Sequence, residues 1–228
     1  MRYTTLLFDL DHTLLDSDAS EVDAYAHTMD TIGLADPDVH FDRYVSINQT
    51  MWRAVERGEL EPGDLRHQRF QAFTEQLLID ADPFAMADAF VWGLGAHGAL
   101  YEGAREVLEQ LSAVATLAMI TNGLSEVQRA RIDRLDLAGY FDAIVISSEV
   151  GATKPRPEIF EHAFELLGQP PKSTTLMIGD SLTSDIRGGT DFGIDTCWFN
   201  PHGRTAGPHD RVTHEIRRLD QLVPLATG

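Results

Sequence analysis

Four short polar clusters in this sequence each follow an apolar run with the length and β-branched content of a strand. The first, Asp9-Leu10-Asp11-His12-Thr13, follows Tyr3 to Phe8, and the second, Thr121-Asn122-Gly123, follows Ala115 to Ile120. Lys154-Pro155 comes soon after Ala143 to Ser147. Gly179-Asp180, with Asp185 five residues on, closes the run Thr174 to Ile178. In an open parallel sheet, ligands bind beyond the carboxyl ends of the strands, where loop amides and helix N-termini converge. Asp9, Asp11 and Asp180 gathered at that edge would repel one another unless a cation joined them. A hard, oxygen-binding ion meets that need. Mg²⁺ suits a few carboxylates plus waters and a substrate phosphate, whereas zinc calls for His or Cys ligands at a spacing the sequence lacks. Lys154 and the amides around Thr121 to Gly123 would then hold the remaining phosphate oxygens.

Each cluster also has a plainer reading. An isolated D-x-D is usually a solvated turn, T-N-G suits a turn because Asn and Gly tolerate left-handed backbone, Lys154 can snorkel at a surface, and Asp185 can be the acidic first turn of a helix. Their joint occurrence favours the chemical reading. For Lys154 so does residue usage, since Lys154 and Lys172 are the only lysines beside sixteen arginines.

The elements needed to bring these clusters together follow from periodicity. The four runs above and Thr196 to Phe199 read as five buried strands. Helix-period segments lie between them: Val107, Leu108 and Leu111; then Val127, Ala130, Arg131 and Leu135; then Ile159, Phe160, Ala163 and Leu167. Alternating strand and helix implies an α/β, Rossmann-like, doubly wound parallel sheet. Residues 17–94 break the rhythm with helical periodicity and no convincing strand, which predicts an inserted all-helical domain between two core segments, 1–16 and 95–228. Its expected helices are Ser20 to Thr31, Phe41 to Arg57, Pro62 to Leu78 and Pro83 to Trp92. Gly93, Gly95 and Gly98 read as a flexible return hinge. The literal G-x-G-x-x-G from Gly93 to Gly98 is not a dinucleotide site, because a helix precedes it and no ribose-binding acid ends the next strand. Asn200 to Arg211 reads as a loop before a final short helix.

Composition sets the outer limits. The chain has 228 residues, of which 43% are hydrophobic and 24% charged, so it can bury a core and is not disordered. A formal net charge of −18 disfavours nucleic-acid and anionic-membrane partners. Scarce lysine among abundant acids fits either genomic bias or adaptation to a salty cytoplasm. A single cysteine, Cys197, excludes an intrachain disulfide and reads as buried packing. Asp9 arrives too early for a signal h-region and no apolar run approaches a membrane span, so a cytoplasmic protein is expected, monomeric or homodimeric.

Taken in order, DxDxT, strand-ending T-N-G, K-P and GDxxxxD resemble the four motifs of the haloacid dehalogenase superfamily of phosphotransferases, and they span Asp9 to Asp185. The helical insertion after the first motif resembles the first class of cap domain in that superfamily. The resemblance implies that Asp9 is a nucleophile forming an aspartyl-phosphate, and that Asp11 is general acid and then general base. It implies Mg²⁺ held by the Asp9 carboxylate, the Asp11 carbonyl and Asp180, with Asp185 orienting Asp180 or a metal-bound water. Thr121, the Asn122 amide and Lys154 would position the phosphoryl group. Asp11 favours a phosphatase over a 2-haloacid dehalogenase, because halide leaves without a proton whereas an alkoxide needs one.

Segments Val45 to Trp52, Gly58-Glu59-Leu60, Ile146 to Gly151 and Thr196-Cys197-Trp198 resemble the YjjG-type pyrimidine 5′-nucleotidase branch. That resemblance implies a nucleoside monophosphate as substrate, with phosphoglycolate or a sugar phosphate as the alternative. Asn48 and Trp52, four apart on one helix face, offer an amide and a ring to a base or sugar, or else belong to the cap core. His12 lines the entrance or merely fills the turn. Two other functions compete. A phospho-accepting receiver module would carry its acceptor after the third strand, where this chain has Ser147. A catalytically idle phosphate-binding protein would not need Asp11.

Overall fold

The structure is a computed structural model and describes residues 2–228. Its centre is strand β1 (Thr5–Phe8), buried along its whole length. Parallel neighbours flank it: β4 (Thr116–Thr121) on one side, with β5 (Ala143–Ile146) beyond; β6 (Thr175–Gly179) on the other, followed by β7 (Asp195–Phe199) and β8 (His214–Ile216). The register pairs Leu6 with Leu117 and Leu176, and Leu7 with Ala118 and Met177.

Alternation then sends side chains to opposite faces. Leu6, Phe8, Leu117, Met119, Leu176 and Ile178 join one apolar cluster with α5 (Ala104–Ser112), Ile132 of α6 (Ser125–Arg134) and α10 (Leu222–Thr227). Leu7, Ala118, Ile120 and Met177 join the other, beneath α8 (Pro157–Leu166) and Phe192 at the end of α9 (Arg187–Phe192). Strands buried on both faces are why these runs are continuously apolar. The chain visits β4 and β5 on one side of β1 before β6 and β7 on the other, so the topological switch lies at the carboxyl ends of β1, β4 and β6. A four-residue helix, α7 (Ser147–Val150), follows β5.

Between β2 (Leu15–Asp16) and β3 (Ala99–Leu100), which pair antiparallel as a two-strand ribbon, lie four helices. These are α1 (Ser17–Thr31), α2 (Phe41–Glu56), α3 (Pro62–Leu77) and α4 (Pro83–Ala96). They have their own core, in which Tyr25, Tyr44, Phe70, Phe73 and Phe90 interlock with Met29, Ile47 and Met86. Among the described residues no helix is long and apolar enough to cross a membrane.

Two expectations are corrected. The glycines at 93 and 95 are not a hinge. Both lie inside α4, where a Cβ on Gly93 would come within 2.7 Å of the Ala24 Cα and one on Gly95 within 2.9 Å of the Ala130 Cβ. They let α4 cross α1 and α6 closely, and the helix runs past Trp92 to Ala96. Only Gly98, with φ +95°, makes the return turn. Gly93→Ala is therefore expected to destabilise the protein by about 1–3 kcal/mol through overpacking against backbone, read as a lowered urea midpoint. The tail also differs, because His214–Ile216 forms a sixth parallel strand where only loop and helix were expected. Three residues of mixed polarity carry too little periodicity to show this in advance.

Candidate active site

Asp9 leaves the end of β1 and is 6% exposed. The chain then turns sharply through His12, in the left-handed region at φ 58°, with the amides of Leu14 and Leu15 both donating to the Leu10 carbonyl. This turn places the Thr13 hydroxyl 3.5 Å from Asp9 Oδ2 and returns Asp11 toward the sheet edge. At the end of β4, the Asn122 amide group brackets the Lys154 backbone: its Nδ2 donates to the Lys154 carbonyl and its Oδ1 accepts from the Lys154 N–H, both at 2.9 Å. The Asn122 side chain thus fixes lysine. The Lys154 Nζ, buried, donates to Asp9 Oδ1 at 2.6 Å and to the Ile120 carbonyl at 2.7 Å, and sits 2.8 Å from Asp185 Oδ1.

Asp185, fully buried, reaches this point because β6 ends in Gly179, where a Cβ would lie 2.2 Å from the Asp185 Cγ. Its other oxygen accepts the Ser181 N–H at 3.0 Å, and it makes no hydrogen bond to Asp180. Carboxylate oxygens of Asp9, Asp180 and Asp185 all lie within 4.8 Å of one another.

Burial pushes the Asp9 carboxyl well up, and the negative Asp185 adds to this against the pull of Lys154. Burial also lifts Asp180 to about 7, again helped by Asp185 and opposed by Arg204, which donates to the Asp180 carbonyl at 2.7 Å and to its Oδ2 at 3.2 Å. Burial works against the Lys154 charge, but Asp185 and Asp9 outweigh it and hold the ammonium protonated. Three converging carboxylates, when all are ionised, exceed by one charge the Lys154 ammonium and the Arg204 guanidinium beside them, and hard oxygen donors are the set a small divalent cation takes. The residues present fit such an ion.

Asp11 has a different setting. Its Oδ1 accepts from the Ser17 hydroxyl at 2.5 Å and from Arg131, and its Oδ2 accepts from Gln128 Nε2 at 2.6 Å. Burial would raise its carboxyl, yet Arg131 first, then Ser17 and Gln128, hold it below the usual range. Gln128 Nε2 also donates to the buried Thr121 hydroxyl at 2.7 Å, joining the second motif to the first. Asp9, Asp11, Asn122, Lys154 and Asp180 open onto one cavity of about 550 Å³, roofed by α1, α2, α3 and α4.

A family description, haloacid dehalogenase-like hydrolase, matches residues 3–193. The chain belongs to the haloacid dehalogenase-like hydrolases. It is 34% identical to the pyrimidine 5′-nucleotidase YjjG of Escherichia coli, over 99% of this chain and 98% of that protein. It is likewise 34% identical to the pyrimidine 5′-nucleotidase PynA of Streptococcus pneumoniae, over 98% and 94%. The crystal structure of the HAD-hydrolase YfnB from Bacillus subtilis, bound to magnesium, superposes with a TM-score of 0.92 at 34% identity, covering 100% of both chains.

Within this hydrolase the cap side of the cavity carries residues the sequence singled out and others it did not. Asn48 is buried, donating to Glu21 and accepting from Arg69 Nη1 at 3.2 Å, so both ends of its amide are engaged within the cap. Trp52 is half-buried on the cavity wall, and His12 lines the mouth 3.7 Å from Asp18. Gln128, Arg131 and Arg204 carry no motif signature. One signal existed for Arg131, an arginine standing in the apolar register of its helix; nothing marked Arg204, which lies in an irregular loop.

Proposed function

We propose that this hydrolase is a Mg²⁺-dependent phosphomonoesterase acting on pyrimidine nucleoside 5′-monophosphates. The observation that carries the reading is the pairing of a lysine-bound carboxylate, Asp9, with a second carboxylate, Asp11, at the mouth of one cavity of about 550 Å³, a volume in the range of small-molecule sites. The names of the relatives YjjG and PynA support the choice of substrate class.

Asp9 attacks phosphorus, forming the P–O bond to its carboxylate as the ester P–O bond breaks, and Asp11 passes a proton to the leaving alkoxide; since Arg131, Ser17 and Gln128 favour its charged form, that proton arrives with the substrate as the phosphate monoanion. Asp11 then takes a proton from water as the water oxygen attacks phosphorus and the bond to Asp9 breaks. The amides around Thr121 to Gly123 hold the phosphoryl oxygens, and Lys154 joins them when a phosphoryl oxygen displaces one of its three present acceptors. Asp9, Asp180 and the Asp11 carbonyl would hold the ion, with Asp185 behind them, and the ion supplies charge neutralisation to the transferring group. The four cap helices exclude water and supply the leaving-group half of the site, with Asn48 and Trp52 beside the nucleoside. A single buried thiol at Cys197 suits a cytoplasmic setting.

The test is a panel of phosphate esters with and without Mg²⁺. Uridine and cytidine monophosphates are expected to give the highest kcat/KM, and chelation by EDTA to abolish phosphate release until Mg²⁺ is restored. Phosphoglycolate or sugar phosphates ranking above the nucleotides would move the substrate to the alternative class. Turnover undiminished by EDTA would overturn the metal requirement.

A further inference from the structure

Arg131 occupies a position that the proposed chemistry does not yet use. It projects from α6 and is 3% exposed. Its guanidinium meets three separate parts of the chain. Nη1 donates to Asp11 Oδ1, Nη2 donates to the Ser20 hydroxyl of α1 at 2.6 Å, and Nε donates to the Leu94 carbonyl near the end of α4 at 2.9 Å. Three residues on, Arg134 donates to the carbonyls of Gly95, His97 and Gly98 at 3.1, 2.7 and 2.8 Å. One face of α6 therefore seats both the first and the last helix of the insertion, and the same arginine that grips them also grips Asp11.

We infer that Arg131 is a positioning residue for Asp11, held in place by the first and last cap helices through Ser20 and the Leu94 carbonyl. A planar fork sets its donors in fixed directions on separate nitrogens, so it spans partners on α1, α4 and the β1 end that a single ammonium nitrogen could not all reach. Asp11 must meet two different atoms in turn, the leaving oxygen and then the attacking water, so its placement bears on both halves of the cycle. Because the fork is shared with the cap, displacement of α1 or α4 loosens Asp11 directly.

This inference rests on the phosphatase reading above, and the experiment separates the two. Turnover of uridine 5′-monophosphate, whose alkoxide needs a proton, is compared with that of p-nitrophenyl phosphate, whose phenolate leaves without one, in the Mg²⁺-loaded protein. With Arg131→Gln, kcat for the nucleotide is expected to fall about 10- to 100-fold. The first turnover of p-nitrophenyl phosphate should stay within about threefold of the unsubstituted protein, because only hydrolysis of the aspartyl-phosphate then lacks its placed base. The result is a stoichiometric burst of p-nitrophenolate and an acid-stable phosphoenzyme. Arg131→Lys should show the same burst with a smaller loss, and Ser20→Ala, which cuts only the tie to the cap, a loss of about threefold with the same signature. Equal losses on both esters with no burst, or Lys and Ala variants indistinguishable from the parent, would overturn the inference even if Arg131→Gln failed to fold. An unsubstituted protein that releases phosphate from neither ester would overturn the phosphatase reading, and this inference with it.

Discussion

Asp9→Asn is expected to lower phosphate release by about 10³-fold or more while leaving the fold in place. The amide oxygen can still accept from Lys154, which now sits 2.6 Å from Asp9 Oδ1, and the side-chain volume is unchanged. What is lost is the anionic oxygen proposed to attack phosphorus. Stability should hold or rise slightly, since the substitution removes one of three negative charges crowded within 4.8 Å. Steady-state phosphate assays and a thermal melt on the same preparation check both halves of this expectation. Turnover within tenfold of the parent would remove Asp9 from the role of nucleophile.

Lys154→Met is expected to cost about 3–5 kcal/mol of stability. The ammonium is 1% exposed and stands between Asp9 at 2.6 Å and Asp185 at 2.8 Å. Removing it leaves two buried carboxylates facing each other with no counter-charge, beside an Asp180 already pushed up to about 7. The outcome is read from urea unfolding midpoints with Mg²⁺ and with EDTA. The loss should be smaller with Mg²⁺, because a dication bound only by the folded state replaces part of the missing charge. Equal losses under both conditions would show that the cation does not share the electrostatic role of Lys154. A loss below about 1 kcal/mol would show that the lysine is not the counter-charge at all.

Much of this site was legible from strand ends. Asp9, Thr121, Lys154 and Asp180 each follow an apolar run too short and too β-branched to be a helix, and parallel strands must deliver their carboxyl ends to one edge. The five strands Thr5–Phe8, Thr116–Thr121, Ala143–Ile146, Thr175–Gly179 and Asp195–Phe199 lie within a residue or two of where periodicity put them. The glycines of α4 were misread because sequence cannot distinguish a glycine that bends from one that admits a neighbour: Gly93 has no Cβ because Ala24 needs the space. Asn122 was read through its backbone amide, whereas its side chain turns out to bracket Lys154, a contact 32 residues away in the chain.

The amino-acid order by itself determined five of the six strands of the sheet, the helical insertion and the four clusters of reactive groups, because backbone periodicity and the direction of a parallel strand are local properties. It also set the expectation of a counter-ion, since acids gathered at one edge repel one another. Only the tertiary structure decided how each acid is held. Asp9 and Asp185 share a lysine, Asp180 pairs with Arg204 from a loop, and Asp11 lies in the fork of Arg131. These pairings join residues 24 to 145 positions apart, so they depend on which helix packs against which strand and on the depth at which each charge is buried. Burial and pairing, rather than residue type, are what separate one carboxylate from another.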